Sequence, residues 1–570
     1  MKNFSTVLIA AALIAAGASS EAAPVAASFQ KAKKSSEINV RSLNSSKASM
    51  RNLPARSQKE DLEALPLVVG LPEGVEGKDL ARANNYFALS VYGELYASQE
   101  VGMIGNVALT DDKAYLLDPF AGMKTESYLV GDRNGDEITF SFPQKIYQET
   151  YEDWYTDPTG ETMVTDWYYA FKCTYTDDGE NSSLVIDTEN PEIKFTLGAD
   201  GSLTQEGDAY IALVLGADND EGVYSLEWTG FADAAIVYTE VTEQPTLLPE
   251  GALLDDWIMA AGEEMRLVKA GFIDGDLYIQ GLLSTMPQGV VKGVKSEDED
   301  DAYIFSVQYV GPDYSYDHFA YMSPALYELS ENESGDYESS YTPAESVTMR
   351  FLDDGDYKVI MTDPDQAVLF SSLPGGGLWM EAYDEPAFQW QDMSTPMTPA
   401  DPEIIEYQFY DALEYGALTY YIPILSMDGR MLKADRYYYN FYFDDELYTF
   451  YPDEYYNLEA PMTNIPFGFE DFMDFISYGE ENQAVIYARG FNKIGLQSVY
   501  LNEDGTETRS EMVTYELEGD GVELVETSVE KSVEWYDLAG RRIAAPSQGI
   551  AIRRTILEDG TVKTSKVIVK

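Results

Sequence analysis

Short runs of β-branched and aromatic residues, broken at close intervals by Asp-Gly, Asn-Gly and Gly-Asp turns, set the limits on what this chain can fold into. Such runs favour antiparallel sheet built from hairpins. Residues 273–294, IDGDLYIQGLLSTMPQGVVKGV, show the unit in full. Asp274-Gly275 is a turn, Leu277-Tyr-Ile279 a strand run, and Pro287, Gly289 and Gly293 punctuate the remainder of the segment. A second strand, residues 302–306, comes after a charged loop. An earlier version runs through residues 110–116, Gly131 and residues 137–140, and further turns stand at Asn134-Gly135, Asp178-Gly179, Asp200-Gly201 and Asp354-Gly355. Helical periodicity is scarce, and residues 79–89 and 253–261 are the two segments expected to be short helices. The expected class is all-β.

The unit belongs to a longer repeat. Leu71-Pro-Glu-Gly74 returns as Leu248-Pro-Glu-Gly251, 177 residues later. Other echoes keep step with it: Tyr115 with Tyr278, Gly131 with Gly293, residues 144–147 with 308–311, and residues 193–197 with 347–351. Gly230-Phe-Ala-Asp233 is matched with Ala382-Tyr-Asp-Glu385, and proline-bearing linkers come after each. A spacing this long exceeds any solenoid repeat, so two divergent β modules are expected, residues 71–247 and 248–400. Residues 401–528 hold about seven short strands and a turn at Asp444-Asp445, the pattern of an immunoglobulin- or fibronectin-like sandwich. A chain of 570 residues needs several such cores.

Charge and rare residues exclude much. The 37 basic and 100 acidic side chains leave a net charge of −63, a field that repels phosphate backbones and argues against nucleic-acid binding. Cys173 is the one cysteine, so no intramolecular disulfide forms, and with a single histidine, His318, no Cys/His zinc set exists. Asp132-Arg-Asn-Gly-Asp136 resembles half of a calcium loop, but Glu137 stands where glycine should be and Pro143 where glutamate should be. It reads as a hairpin turn, and the run Glu297-Asp-Glu-Asp-Asp301 as a solvated loop. No cofactor and no metal site is expected.

The two ends differ from the acidic body. Residues 1–22 combine Lys2, an apolar run at 7–16 and small-x-small cleavage sites, the pattern of a secretory signal peptide too short to span a bilayer. Residues 23–60 carry eight basic and two acidic side chains with few large apolar ones, the composition of a disordered basic leader. At the other end, residues 529–570 hold eight Lys/Arg against five Asp/Glu. They contain Tyr536-Asp-Leu-Ala-Gly-Arg541, then Gly549-Ile-Ala-Ile552 and Lys566-Val-Ile-Val-Lys570. This tail resembles the C-terminal sorting domain of type IX secretion cargo in Bacteroidetes, with Ala551 where that family usually has tyrosine. The resemblance implies a small β-sandwich read by export machinery through Tyr536, Asp537, Leu538, Gly540, Arg541, Gly549, Lys566 and Lys570. The module pattern also looks like multi-module secreted proteins of gut Bacteroidales. A Gram-negative cell-surface or secreted location is implied, with no transmembrane segment.

No motif of catalysis stands out. His318, in Tyr316-Asp-His-Phe319, has no G-x-S-x-G elbow to partner it, and adjacent Asp317 points to the opposite face of a strand. Tyrosine is the abundant residue, at 43. In residues 437–443 alternation sets Tyr437, Tyr439, Phe441 and Phe443 on one face and Tyr438, Asn440 and Tyr442 on the other. A ring there can stack on a sugar while its hydroxyl stays wet, which makes Tyr438 and Tyr442 the candidate ligand-binding residues. The expectation is a non-enzymatic protein binding glycan or protein at the cell surface. The competing reading is an extracellular glycan hydrolase using paired carboxylates.

Overall fold

The computed structural model describes residues 29–30, 55–89, 95–152, 163–177, 182–218, 224–262, 264–331, 337–355, 357–410, 413–455, 457–471, 473–517, 530–536, 542–543, 549–557 and 562–569. The chain forms two compact units that divide between Trp390 and Gln391. The fold is all-β, in several sheets.

The first unit opens with β1 (Phe29–Gln30) and α1 (Ala55–Glu63). Twelve strands come next: β2 (Lys78–Leu89), β3 (Leu95–Leu109), β4 (Lys113–Leu117), β5 (Tyr128–Asn134), β6 (Glu137–Ser141), β7 (Gln144–Glu152), β8 (Met163–Asp177), β9 (Ser182–Ile186), β10 (Glu192–Leu197), β11 (Leu203–Gln205), β12 (Tyr210–Asp218) and β13 (Tyr224–Thr239). Eight of them close a ring, β2-β3-β4-β5-β6-β10-β11-β13 and back to β2. Eight strands leave an interior that side chains fill. Leu116, Leu129, Ile138, Phe140, Phe195, Leu203 and Ile236 fill this one. β7, β8, β9 and β12 make a side sheet attached through the first half of β13. β13 serves both sheets because it shifts register at Ala235, whose φ is 53°.

The same plan recurs in β14 (Asp255–Ala261), β15 (Glu264–Ile273), β16 (Asp276–Gln280), β17 (Val290–Lys295), β18 (Ala302–Ser306), β19 (Gln308–Asp313), β20 (His318–Glu331), β21 (Tyr337–Pro343), β22 (Ser346–Asp353), β23 (Lys358–Thr362), β24 (Gln366–Leu373), β25 (Gly376–Asp384) and β26 (Ala387–Trp390). β14-β15-β16-β17-β18-β22-β23-β26 is a closed barrel, and β19, β20, β21, β24 and β25 form its side sheet. Each pairing of the first barrel has its counterpart here. The long thirteenth strand is split, because Glu385 (φ 45°) and Pro386 interrupt it between β25 and β26.

The registers align residue by residue. Ala114 lies opposite Gly131, and Leu277 opposite Gly293. Next to each glycine stands a buried phenylalanine: a Cβ on Gly131 would lie 3.0 Å from Phe140, and one on Gly293 would lie 2.3 Å from Phe305. Gln144 and Gln308 each bond the backbone N–H and the carbonyl of one residue on a barrel strand with the two ends of the side chain. The pairs are Gln144 with Val130 (2.8 and 2.8 Å) and Gln308 with Lys292 (2.7 and 2.8 Å). Near the module ends the register differs from the sequence match. Ala232 pairs with Ala212 as Ala382 pairs with Leu369, which sets Asp233 level with Tyr383 rather than with Glu385. The slip is two residues, which keeps each side chain on its face.

Three expectations are corrected. Residues 79–89 lie in β2 and residues 255–261 in β14, not in helices. Alternating burial and two hydrogen-bonded neighbours each decide them as strands. Conversely, the end of the basic leader is helical. Arg56, Gln58, Lys59, Glu60 and Leu62 are good helix formers, and α1 sets Leu62 into the side-sheet core with Phe171 and Val214. Lys145 fixes its end, donating to the Glu63 carbonyl at 2.6 Å while lying over the Trp167 ring.

The second unit holds β27 (Glu403–Tyr410), β28 (Tyr415–Tyr421), β29 (Tyr437–Phe443), β30 (Glu446–Leu447), β31 (Ile465–Pro466), β32 (Phe475–Tyr478), β33 (Glu481–Ile486), β34 (Lys493–Leu501), β35 (Glu507–Arg509) and β36 (Val513–Glu516). β27-β28-β33-β32 forms one sheet and β30-β29-β34-β35 the other, with β31 on β29 and β36 on β34. Named A to G, that is A-B-E-D against C′-C-F-G, the strand order of immunoglobulin-type sandwiches, with G interrupted between β35 and β36. Leu418, Tyr420, Tyr439, Phe441, Phe450 and Phe475 pack between the sheets. The tail strands β37 (Glu530–Tyr536), β38 (Arg542–Ile543), β39 (Gly549–Leu557) and β40 (Val562–Val569) form one four-stranded antiparallel sheet.

Candidate functional site

The two candidate tyrosines sit on the outer face of the C′-C-F-G sheet. Along β29 burial alternates as the sequence requires: Tyr437, Tyr439, Phe441 and Phe443 are buried in the core, while Tyr438 and Tyr442 are half-buried on the other side. Asn440 between them is buried. Four residues apart on a strand, the two Cα atoms are on the order of 13 Å apart. Polar groups from neighbouring strands fill that interval. The Tyr438 hydroxyl donates to Glu507 Oε1 (3.0 Å) and the Tyr442 hydroxyl to Gln497 Oε1 (3.2 Å). Arg509 donates to Glu507 Oε2 at 3.0 Å. The result is a strip of two phenol rings with a carboxylate, a guanidinium and an amide between them. Burial, then the neighbouring Glu507, hold the Tyr438 hydroxyl protonated and a donor.

His318 lies elsewhere, where β20 meets β3 in the first unit. Its Nε2 is 2.7 Å from Glu100 Oε1 and its Nδ1 2.6 Å from the Tyr316 carbonyl. Both nitrogens face acceptors, an arrangement that a doubly protonated ring satisfies. Burial lowers its pKa, but the bond to Glu100, the carboxylate charge and the Tyr316 carbonyl outweigh burial and raise it. Around this pair the two barrels are joined by Ile104 N–H donating to the Asp317 carbonyl (2.7 Å), Lys124 to Asp317 (2.9 Å) and Tyr314 to Asp79 (2.8 Å). His318 is thus part of a joint, and Asp317, which lies in the turn before β20 with φ 63° rather than on a strand, serves the same joint.

Each barrel also holds an arginine whose role the sequence does not announce. Arg82 on β2 donates to the carbonyls of Asp118 (3.0 Å) and Pro119 (2.7 Å) and to Asp233. Arg266, on β15, donates to the corresponding carbonyls of Gly281 and Leu282 and to the Tyr383 hydroxyl. Asp233 and Tyr383 are the residues that stand level in the two registers. Two arginines from different strands therefore pin the same loop in the two barrels, and no sequence echo could reveal it. Asp233 also accepts from Asn84 (2.8 Å) and the Ala121 N–H (2.9 Å). Full burial raises its pKa to about 7 against the pull of Arg82. In the second barrel Glu381 accepts from the Ser284 N–H (3.0 Å), the Ser284 hydroxyl and the Tyr383 hydroxyl. These carboxylates are held by the fold's own donors.

Residues 132–136 form the β5–β6 hairpin turn. In the acidic run, Glu299 and Asp301 pair with Arg350. Among the described residues no group of three His, Cys, Asp or Glu side chains is placed to hold a metal, and no helix is long and apolar enough to cross a membrane. Cys173 is buried, with its thiol pushed up to about 12 by burial and Asp187. Of the tail positions, Tyr536 lies opposite Ile552, Gly549 opposite Val569 and Lys566 opposite Ile552. Asp537, Leu538, Gly540, Arg541 and Lys570 lie outside the described residues. No protein-family model matches the chain, and no curated protein matches it either.

Proposed function

We propose that this is an exported, non-enzymatic cell-surface protein that binds neutral glycan through its immunoglobulin-type sandwich. The observation that carries the reading is the strip from Tyr438 to Tyr442. Phenol rings supply stacking surfaces, and Glu507, Gln497 and Arg509 supply hydrogen-bond partners for sugar hydroxyls between them. The net charge of −63 disfavours acidic polysaccharide, lipid headgroups and nucleic acid. The signal-peptide pattern and the sorting-tail resemblance support export to the outer surface through type IX machinery. The two barrels, with interiors filled by side chains, are read as divergent copies of one spacer module.

The test is a glycan array probed with the purified mature chain, beside a panel of chromogenic glycosides. Binding of neutral glycans is expected, reduced at least tenfold in the Tyr438→Ala/Tyr442→Ala variant, with no glycoside turned over. An array on which nothing binds, or turnover of a glycoside, overturns the reading.

A further inference from the structure

The opposite sheet of the sandwich carries a second aromatic surface. Tyr410, at the end of β27, lies directly across from Tyr415, at the start of β28. Gly416 pairs with Ile486, so Tyr415 in turn stands beside Tyr487, just past β33. On β28 the side chains of Leu418 and Tyr420 belong to the core side, so by alternation Tyr415 and Ala417 face outward. The three rings form a row across three strands, with centroids 5.6 Å apart from Tyr410 to Tyr415 and 6.1 Å from Tyr415 to Tyr487. Tyr410 and Tyr487 are each 37 % exposed, so the two ends of the row reach solvent.

The surroundings indicate what this row can take. Next to it, Ala417 and Val485 lie on the same face as small apolar groups. At its two ends stand acceptors already oriented by the tyrosines. Tyr410 donates to Gln408 Oε1 (2.8 Å) and Tyr487 to Asp474 Oδ1 (3.4 Å). Among the described residues the other charged side chains on this face are acids, Glu403, Glu406 and Glu481, and nearby Arg489 is paired with Glu414. A membrane surface or an acidic polymer would be repelled, and a protein partner would meet a small apolar area ringed by carboxylates. An uncharged ligand rich in hydroxyl donors meets stacking faces and, at the exposed Gln408, an acceptor; Asp474 is buried and serves to orient Tyr487.

We infer that Tyr410, Tyr415 and Tyr487 form a second subsite for a neutral polysaccharide, on the A-B-E-D sheet, independent of the Tyr438–Tyr442 strip. The row spans on the order of 10 Å, two strand spacings, comparable to a disaccharide. The rings are inclined to one another by 49° and 72°, a stepped trough rather than a plane. That shape suits a single twisted chain in solution and not the flat surface of a crystalline polymer. The inference rests on the glycan-binding reading for its ligand class but on different residues.

The experiment is affinity electrophoresis of the mature chain through gels holding soluble neutral polysaccharides. Wild type is compared with Tyr415→Ala/Tyr487→Ala, with Tyr415→Phe/Tyr487→Phe, and with Tyr438→Ala/Tyr442→Ala. The Ala row variant should lose at least tenfold in affinity for one or more polysaccharides, the Phe row variant should stay within threefold, and the strip variant should keep that part of the binding. Unchanged retardation of the Ala row variant, with loss in the strip variant, overturns this inference and leaves the first reading standing. Loss in the row variant with none in the strip variant keeps the row and overturns the strip. Equal loss in the Ala and Phe variants marks a folding role and overturns the inference, and a wild type retarded by no polysaccharide overturns both.

Discussion

At the scale of single residues, the repeat is maintained by a few positions that tolerate little change. Gly131 and Gly293 face Phe140 and Phe305 across adjacent strands, each ring occupying the space a side chain would need. Gly293→Ala forces a contact of 2.3 Å on a fully buried ring, and Gly131→Ala one of 2.9 Å on Ile138. Overpacking of this kind costs about 1–3 kcal/mol. Denaturant melts should show both variants destabilised, Gly293→Ala the more; equal stability to wild type would refute the packing account. The arginine pins give a second expectation. Asp233→Ala strands Arg82 as a buried charge and should cost about 3–5 kcal/mol, whereas Tyr383→Phe removes one neutral acceptor from Arg266 and should cost about 1 kcal/mol. A reversed order in the same melts would show that Asp233 does not carry the Arg82 charge. Glycines and glutamines could be matched in the sequence because each acts through its own backbone position. The arginines could not, because each reaches the same carbonyls from a different strand.

At the scale of elements, the joint between β3 and β20 makes the first unit sensitive to pH. His318 has a folded pKa above its usual value, so the stabilisation from its pair with Glu100 is complete below about pH 6.5 and is lost as pH rises through the folded value. Thermal melts should therefore show a stability component that declines as pH rises above about 6.5 and is absent in His318→Gln. That variant should also leave glycan binding within a few-fold, because His318 lies on β20 and the tyrosine faces lie on the sandwich. A hundredfold loss of a hydrolytic activity in His318→Gln, with circular dichroism unchanged, would overturn the non-enzymatic reading. Much of the element plan was readable from turn chemistry: Asp274-Gly275 and Asp444-Asp445 both adopt positive φ at the two central positions, as a type I′ hairpin needs. What could not be read was the competition between helix and strand in residues 79–89 and 253–261. There, mixed polarity hides an alternation that shows only when two neighbouring strands bury it. The reverse held for α1, where a leader-like composition ends in a helix because Leu62 finds a side-sheet core to enter.

At the scale of the whole molecule, the parts separate by charge and by task. An acidic body comes after a basic leader and precedes a basic tail, and both proposed binding surfaces lie on the sandwich. The tail sheet β38-β37-β39-β40 brings Tyr536, Gly549 and Lys566 into one four-stranded layer. Removing residues 529–570 takes away that whole layer and none of the strands of the sandwich or the barrels. In a host with type IX export, the truncated chain should therefore fold, resist protease as the intact protein does, and accumulate in the periplasm. Fusing the same residues to an unrelated periplasmic protein should carry it to the surface. Cell fractionation with surface labelling reads both results. Surface or medium levels unchanged by the deletion would show that the tail is not the export signal, however closely Tyr536 to Arg541 resembles one.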